Sequence, residues 1–519
     1  KIYDKPVAYF PYFSHPDPTT KRKSGFLTPS LKSSSNRKNY LSLPYYLVLA
    51  ENKDLTFSPR LYDHEEVLLQ TEYRQVGNNT NHISDFSFKI NDDKKLRSHF
   101  FYKFDKNFNL DNFVYSKLDL NIQTTTKDTY IKKNKIKSDL IINENILENS
   151  AKISLSRDDM SINVDAFLYE DLGKNDSDRF EYILPNINLT KKVSNRTSLN
   201  GDFSFKSKAL ARNYNTNIFE TININDLIFK SYPKVTSKGF YNNYEFFIKN
   251  ANINAKNSKT YKNKENAFVS GMLQFNSSIP LIKENEKYKK ISKPRLSLKI
   301  SPEHTKDNSD DDIKINMNNI YSINRAVRDN AIEGGLSLTY GNEFLVLDKK
   351  KSSQILNFKI ANNLRLRENY DLPKNSQIGQ KTSSIFNEIS YSPNKYIKID
   401  YNSSIKNNLT EMNYENITTE FRINNIVTSF DYLNQNESSN VSYLSNTTKL
   451  NLDKSNSLLF STRKNKIINL TEYYNLAYQY ENDCLTASLE YNKEYYSDRD
   501  LKPNESIGVR LTIIPFKNK

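Results

Sequence analysis

Residues able to do chemistry are few in this chain and lie far apart. Its five histidines are His15, His64, His82, His99 and His304, and none shares with another the spacing that brings imidazoles onto one metal ion. Asp310, Asp311 and Asp312 form an acidic run that reads as a solvated turn. Neither a glycine-rich phosphate loop nor a GxSxG nucleophile elbow occurs. The sequence therefore predicts no enzyme, no cofactor and no metal site. What remains is one cysteine and a set of oddly placed prolines. Cys484 opens the run CLTASLEY, opposite in phase to Leu485, Ala487, Leu489 and Tyr491. Read alone, such a cysteine is an apolar filler, and as a single thiol it excludes an internal disulfide framework in this stretch. Pro44 and Pro59 each sit in a strand-like run and remove a ladder donor, which edge or weakly paired strands tolerate; they also suit plain strand ends. Near the start, YFPYFSHPDP sets Tyr9, Phe10 and Phe13 among Pro11, Pro16 and Pro18.

The elements that would position these residues are strands. In MSINVDAFLYED, Ile162, Val164, Ala166 and Leu168 alternate with polar neighbours; TSLNGDFSFKSK, VYSKLDLNIQ and SIGVRLTIIPF repeat the period. Such stretches run about 8 to 12 residues between Asn- and Lys-rich linkers, close to the 9 to 11 that a tilted strand needs to cross a bilayer core. The chain is 519 residues with 37% apolar residues and a mean hydropathy of −0.74, yet it holds 35 Tyr and 29 Phe. A membrane barrel reconciles these numbers, because only alternate residues of each strand face lipid. A soluble all-β protein is the competing architecture. The longest apolar run is of the YYLVLA kind, so a membrane-spanning helix is not expected. A net charge of +15 permits nucleic acid, anionic lipid or a phosphorylated glycolipid as partner. Lacking an initiator Met, the chain reads as a fragment or processed form.

Several stretches carry a more specific pattern. IYDKPVAYFPYFSHPDPTTKRKSGFLTPS contains Pro6, Tyr9, Pro11, Phe13, His15, Pro16, Pro18, Arg22, Ser24, Gly25, Phe26 and Pro29; LSLPYYLVLAENKDLTFSPRLY contains Pro44, Tyr45, Tyr46, Asp54, Leu55, Thr56 and Pro59. A central block has Pro302, Asp312, Asn319, Tyr321, Arg325, Asp329, Glu333, Gly334, Gly335, Tyr340 and Gly341, and a closing block carries Cys484. Together they resemble the barrel portion of the LptD family of lipopolysaccharide-assembly proteins. In the central block Ala331 and Ile332 stand where that family is usually polar.

The resemblance implies an all-β chain: residues 1–31 as the last strand or strands of a periplasmic β-jelly roll and the junction, then 32–519 as a large antiparallel transmembrane β-barrel of about 26 strands. About 18 residues per strand and connection fit that count. It also implies a translocon component of the bacterial outer membrane, with lipopolysaccharide passing through the lumen and a lateral gate between first and last strands. A general outer-membrane porin or other barrel channel is the alternative. The implied gate residues are Pro44, Tyr45, Tyr46, Pro59, Val509, Leu511 and Ile513, with residues 40–48 expected to meet 507–514. Tyr9, Phe10, Pro11, Phe13, Pro16 and Pro18 would line the lipid path at the junction. Implied partners are lipopolysaccharide, an LptE-like lipoprotein plug, an LptA-like periplasmic bridge and the outer membrane, with no nucleic acid. By the same resemblance Cys484 would pair with a cysteine near the mature N-terminus, outside this stretch.

Overall fold

The computed structural model describes residues 22–35 (except Thr28), 39–63, 66–90, 95–195, 197–261, 263–303, 306–325, 327–436, 440–481, 485–495 and 502–513. It is one continuous antiparallel sheet of thirty segments. Four segments are pieces of neighbouring strands. Gly25–Phe26 and Ser30–Ser34 make up the first strand, Tyr40–Ser42 and Tyr45–Ala50 the second, Leu281–Glu284 extends Asn266–Ser278, and Lys234–Val235 folds onto the start of Tyr241–Lys256. Twenty-six strands therefore run round the wall, and the last, Asn504–Ile513, pairs with the first. The expected strand number and all-β class hold. The barrel strand already begins at Gly25, ahead of the expected border at 31/32.

The two faces of the sheet obey opposite rules. In Thr80–Ile90, Phe86, Phe88 and Ile90 are exposed outward while Asp85, Ser87 and Lys89 are buried inward. A soluble protein buries its aromatics, whereas a barrel in lipid offers them to the bilayer. In the longest strands the outward polarity changes partway: Tyr244 and Phe246 give way to Asn250 and Asn252, with Ile253 and Ala255 buried on the inner side. Strands of 14 to 16 residues outrun the bilayer, and their far ends stand in water.

Connections differ at the two ends. One end has tight turns, at 51–52, 158–159 and 424–425; the other carries the loops 126–145, 302–334 and 366–384. Outer-membrane barrels put short turns in the periplasm and long loops outside, which orients the wall. These loops fold inward. Loop 126–145 forms the short helix Tyr130–Asn134, and Tyr130, Ile131, Ile136 and Leu140 bury against Leu68 and Phe101 of the inner wall. Ser87 links the Tyr130 hydroxyl (2.7 Å) to His99 (2.7 Å), so this histidine serves packing, with Asp85 as its other partner.

Loops 302–334 and 366–384 dock on each other. Ile315 and Ile320 pack with Leu372 and Ile378, and Lys374 Nζ reaches Asp310 at 2.8 Å, so part of the acidic run is an ion-paired link between loops. Ala331 and Ile332 are buried, Ile332 against Phe247 and Met272, which accounts for apolar residues there. Beneath them Glu333 is buried and gathers three cations: Arg325 (3.0 and 3.1 Å), Lys299 (3.2 Å) and Arg365. Arg365 also donates to Gly334 O (2.9 Å) and Ile378 O (2.7 Å), tying its strand to both loops. Glycines make the fit possible. Gly335 has φ +93°, and a Cβ on Gly341 would strike the Tyr321 hydroxyl and the Ile360 carbonyl.

Burial by itself would raise the Glu333 carboxyl, but Arg325, Lys299 and Arg365 outweigh it and hold the group well below the ordinary carboxylate range. A depressed carboxyl stabilises at every pH above its unfolded value and loses that contribution only as pH falls through its folded one. The docked loops are therefore expected to resist protease from neutral pH to well below pH 4, measured by limited proteolysis at 302–334. Glu333→Gln leaves three buried cations without a countercharge. It should cost about 3 to 5 kcal/mol, seen as a lower unfolding temperature in heat-shifted gel mobility and as protease-sensitive loops at pH 7.

Candidate functional site: the closing seam

Barrel closure rests on five register pairs, from Ser30↔Arg510 to Ser34↔Ser506. The first strand meets the second through five more, in two pieces. Every other neighbouring pair of strands among the described residues has at least six, and the closing strand makes ten with Leu485–Glu494. The first strand is thus the most weakly held part of the wall.

Prolines explain the shortfall. Pro29, Pro44 and Pro59 recur at fifteen-residue intervals, one hairpin apart, and so fall within about one residue of the same level on three neighbouring strands. None has an N–H to donate, and Pro29 and Pro44 fall in gaps of their strands. Only their carbonyl sides remain useful: Leu27 N donates to Pro44 O (2.7 Å) and Leu43 N to Pro59 O (3.1 Å). Beyond the gap, no register pair among the described residues joins 511–513 of the closing strand to the first strand. The opposite end of the seam is clasped. Ser35 N donates to Glu505 O (2.8 Å), Glu505 N to Ser35 Oγ (3.0 Å), and Ser34 Oγ bonds Asn504 Oδ1. Among the described residues the seam is thus paired and clasped at its long-loop end, with no register pair at its short-turn end.

The placement of the expected gate residues follows. Residues 40–48, expected from the sequence to meet the closing strand, do not; Ser30–Ser34 do. Pro44, Tyr45 and Tyr46 belong to the second strand or its gap and Pro59 to the third, so they flank the seam. Val509 lies in the seam itself, opposite Leu31, and both are exposed outward. Leu511 and Ile513 lie on the closing strand beyond the last pair. Tyr9, Phe10, Pro11, Phe13, Pro16, Pro18 and Cys484 fall outside the described residues. The run SLKSS carries no strand signature of its own because Leu31 is its sole apolar residue; the constant proline interval is the signal the sequence offers.

The chain enters the barrel beside this gap. Asp54, buried on the inner face, binds Arg22 Nη1 (2.9 Å) and Arg74 Nε (2.8 Å). Ser24 Oγ accepts from Val48 N at 2.9 Å. These contacts fix the segment before the first strand at the short-turn end, on the lumen side, and give Arg22, Ser24 and Asp54 of the family-like motifs a physical role.

Across the lumen face of the seam lies loop 126–145. It is held on one side by Arg60, which donates to Asn134 O, and by Gln70 Nε2 to Lys137 O (2.9 Å). On the other side Lys135 Nζ reaches Glu494 Oε1 at 2.6 Å, on the strand next to the closing one. Nearby, Arg510 of the closing strand faces Glu490 (3.6 Å).

No family model matches the chain. Curated relatives do. The LPS-assembly protein LptD of Pseudoalteromonas translucida is 43% identical over 76 residues, 15% of this chain and 10% of that protein. Those of Idiomarina loihiensis and Psychrobacter cryohalolentis are 32% identical over 96 residues and 39% over 79, covering 18% and 15% of this chain and 12% and 8% of theirs. The matched stretches thus span about a tenth of each relative. Among solved structures, the ferric preacinetobactin receptor BauA of Acinetobacter baumannii aligns with TM-score 0.30 and 8% identity over 94% of this chain and 80% of its own. The alcaligin receptor FauA of Bordetella pertussis aligns with TM-score 0.30 and 7% identity, over 95% and 76%. Over these stretches the chain is similar to LptD proteins, and its own fold is a closed antiparallel β-barrel of twenty-six strands.

Proposed function

We propose that this barrel passes lipopolysaccharide from the periplasm into the outer leaflet, and that the lipid part leaves the lumen sideways through the seam. The observation that carries the reading is the proline row with its five-pair seam. In a bilayer each unmade backbone hydrogen bond is costly, so a wall can part only where few must be broken. A seam whose described pairs are few and lie toward its long-loop end gives an amphiphile a place to begin: acyl chains slide outward into lipid while the sugar headgroup stays in the polar lumen. The relatives' name, LPS-assembly protein, agrees with this chemistry.

Pro44, Tyr45, Tyr46 and Pro59 flank the opening in this reading, and Val509, Leu511 and Ile513 form its far edge. Tyr9, Phe10, Pro11, Phe13, Pro16 and Pro18 deliver the lipid, with Arg22 on Asp54 holding the delivery segment against the mouth. An LptE-like lipoprotein would occupy the wide lumen, and an LptA-like bridge would feed the segment preceding the barrel. Cys484 would join barrel to that preceding domain through a disulfide.

Depleting the protein should lower lipopolysaccharide at the cell surface; unchanged surface levels would overturn the reading. Locking the seam tests the route. Ser33 and Ile507 are register partners, so Ser33→Cys with Ile507→Cys should crosslink and halt surface delivery, while normal growth with a quantitatively formed crosslink would reject a lateral exit. Arg22→Ala should weaken delivery severalfold with little change in barrel stability, because its side chain is half exposed and such pairs are worth about 1 kcal/mol or less. Surface lipopolysaccharide measured beside heat-shifted mobility separates the two effects.

A further inference from the structure

Across the barrel from the seam the outward face is hollowed. Phe275, Leu296 and Tyr340 are exposed there and alternate with Gln274, Ser297 and Thr339, which are buried toward the lumen, so the face that carries the aromatic rings is the one turned to the bilayer. Beside those rings runs a groove of about 880 Å³, within the range of small-ligand sites. It follows the register row that joins Ser277 to Leu296, Leu296 to Tyr340 and Tyr340 to Asn362, and it ends at Thr382 and Asn407 on the long-loop side. The ladder explains the hollow. Pro294 gives Tyr288–Ser301 no donor at mid-strand, Ile279 and Pro280 break the neighbouring strand after Ser278, and six register pairs join the two.

One polar group is buried in this groove's wall without a partner. Asn362 is 6% exposed and shares the outward face with Ile360 and Leu364. Its Nδ2 donates to Ser383 O (2.9 Å) and Ser384 O (3.3 Å), which fixes the way round the amide sits, and its Oδ1 has no hydrogen-bond partner among the described residues. Asn387, the register partner of Ile360, is buried as well, with Nδ2 on Ser403 Oγ (2.7 Å) and Oδ1 unpartnered among the described residues. No water reaches a wall inside the bilayer, so the missing donor has to come from what fills the groove. The ester linkages of a glycerophospholipid offer acceptors alone. An acyl chain that is amide-linked or hydroxylated near its headgroup brings N–H and O–H donors together with the apolar length that Ile360, Leu296 and Phe275 would cover. Asn362 lies three residues from the long-loop end of its strand, so such a lipid would stand with its headgroup at the outer surface.

We propose that this groove is a resident lipid site on the outer wall, holding one acyl chain of a lipid with amide or hydroxyl donors at its linkage, the chemistry of the lipid part of lipopolysaccharide, and that Asn362 Oδ1 accepts from it. The chain fills a wall thinned by Pro280 and Pro294 and is not cargo in transit. The groove crosses Asn266–Ser278, the fourteenth of the twenty-six strands, and so lies half a turn from the seam. It does not rest on the transport reading: a barrel that moved no lipid would hold this one in the same way.

The test takes the full chain in mild detergent, strips it of lipid, and adds either hydroxyacylated lipid A or dipalmitoylphosphatidylethanolamine, with native mass spectrometry counting the lipids kept by each folded barrel. The parent should keep one lipid A and about fivefold less of the phospholipid, the worth of one hydrogen bond. Ser277→Phe puts a ring into the groove and should abolish most of the retention, whereas Val164→Phe, on the outward face elsewhere, should leave it unchanged. Asn362→Leu should bring lipid A down to the level of the phospholipid; where that variant lacks folded-barrel mobility, Ser277→Phe decides alone. Locking the seam through Ser33→Cys with Ile507→Cys should not alter retention, which separates the wall site from the proposed lipid route. The proposal is overturned by parent-like retention in Ser277→Phe, by equal retention of the two lipids in the parent, or by loss of retention when the seam is locked. Surface lipopolysaccharide enters none of these readings, so the transport proposal stands or falls separately.

Discussion

Inside a bilayer no water is present to satisfy an unpaired peptide group, and this constraint governs the whole molecule. A sheet can cross only by closing, so that every strand has two neighbours. Twenty-five of the interstrand boundaries follow strand order and the last brings Asn504–Ile513 back to Ser30–Ser34. That boundary is also where the constraint is met most sparingly. Three prolines aligned across three strands remove donors at one level of the wall, and the clasp of Ser34 and Ser35 on residues 504 and 505 secures the other end. The wall is stable as a whole and weak along one line.

A barrel of this size encloses more space than its inward side chains can fill, and the chain spends its longest loops on the problem. The loops are fastened by polar bonds more than by apolar area. Glu333 illustrates the balance: a buried carboxylate is tolerated because Arg325, Lys299 and Arg365 surround it, and those cations are tolerated because the carboxylate and loop carbonyls face them. On the opposite side of the lumen, loop 126–145 packs its short helix into an apolar cluster and reaches Glu494 through Lys135 in a part-buried ion pair.

Local sequence reported the wall well and its closure poorly. Alternation in MSINVDAFLYED or SIGVRLTIIPF needs only a strand with two different faces, so it survives in the sequence whatever the neighbours are. SLKSS, by contrast, is a strand because Arg510 to Ser506 and Tyr40 to Ser42 lie beside it. The pairing of first and last strands joins residues more than 470 positions apart, and no local pattern encodes it. For the same reason the sequence sets residues 40–48 against the closing strand, and the ladder moves the seam one strand earlier.

What the sequence by itself determined is the architecture: alternating faces of bilayer length, aromatic residues without long apolar runs, and motifs whose prolines and glycines forbid ordinary ladders at stated places. Those properties follow from backbone sterics and from the period of a strand, which each segment carries alone. What only the tertiary structure decided is partnership. The alignment of Pro29, Pro44 and Pro59, the gathering of Lys299, Arg325 and Arg365 on Glu333, and the reach of Lys135 to Glu494 all depend on register and on loops turning inward. Register is set by the sum of many weak pairings around a closed ring, and a sum of that kind has no local signature.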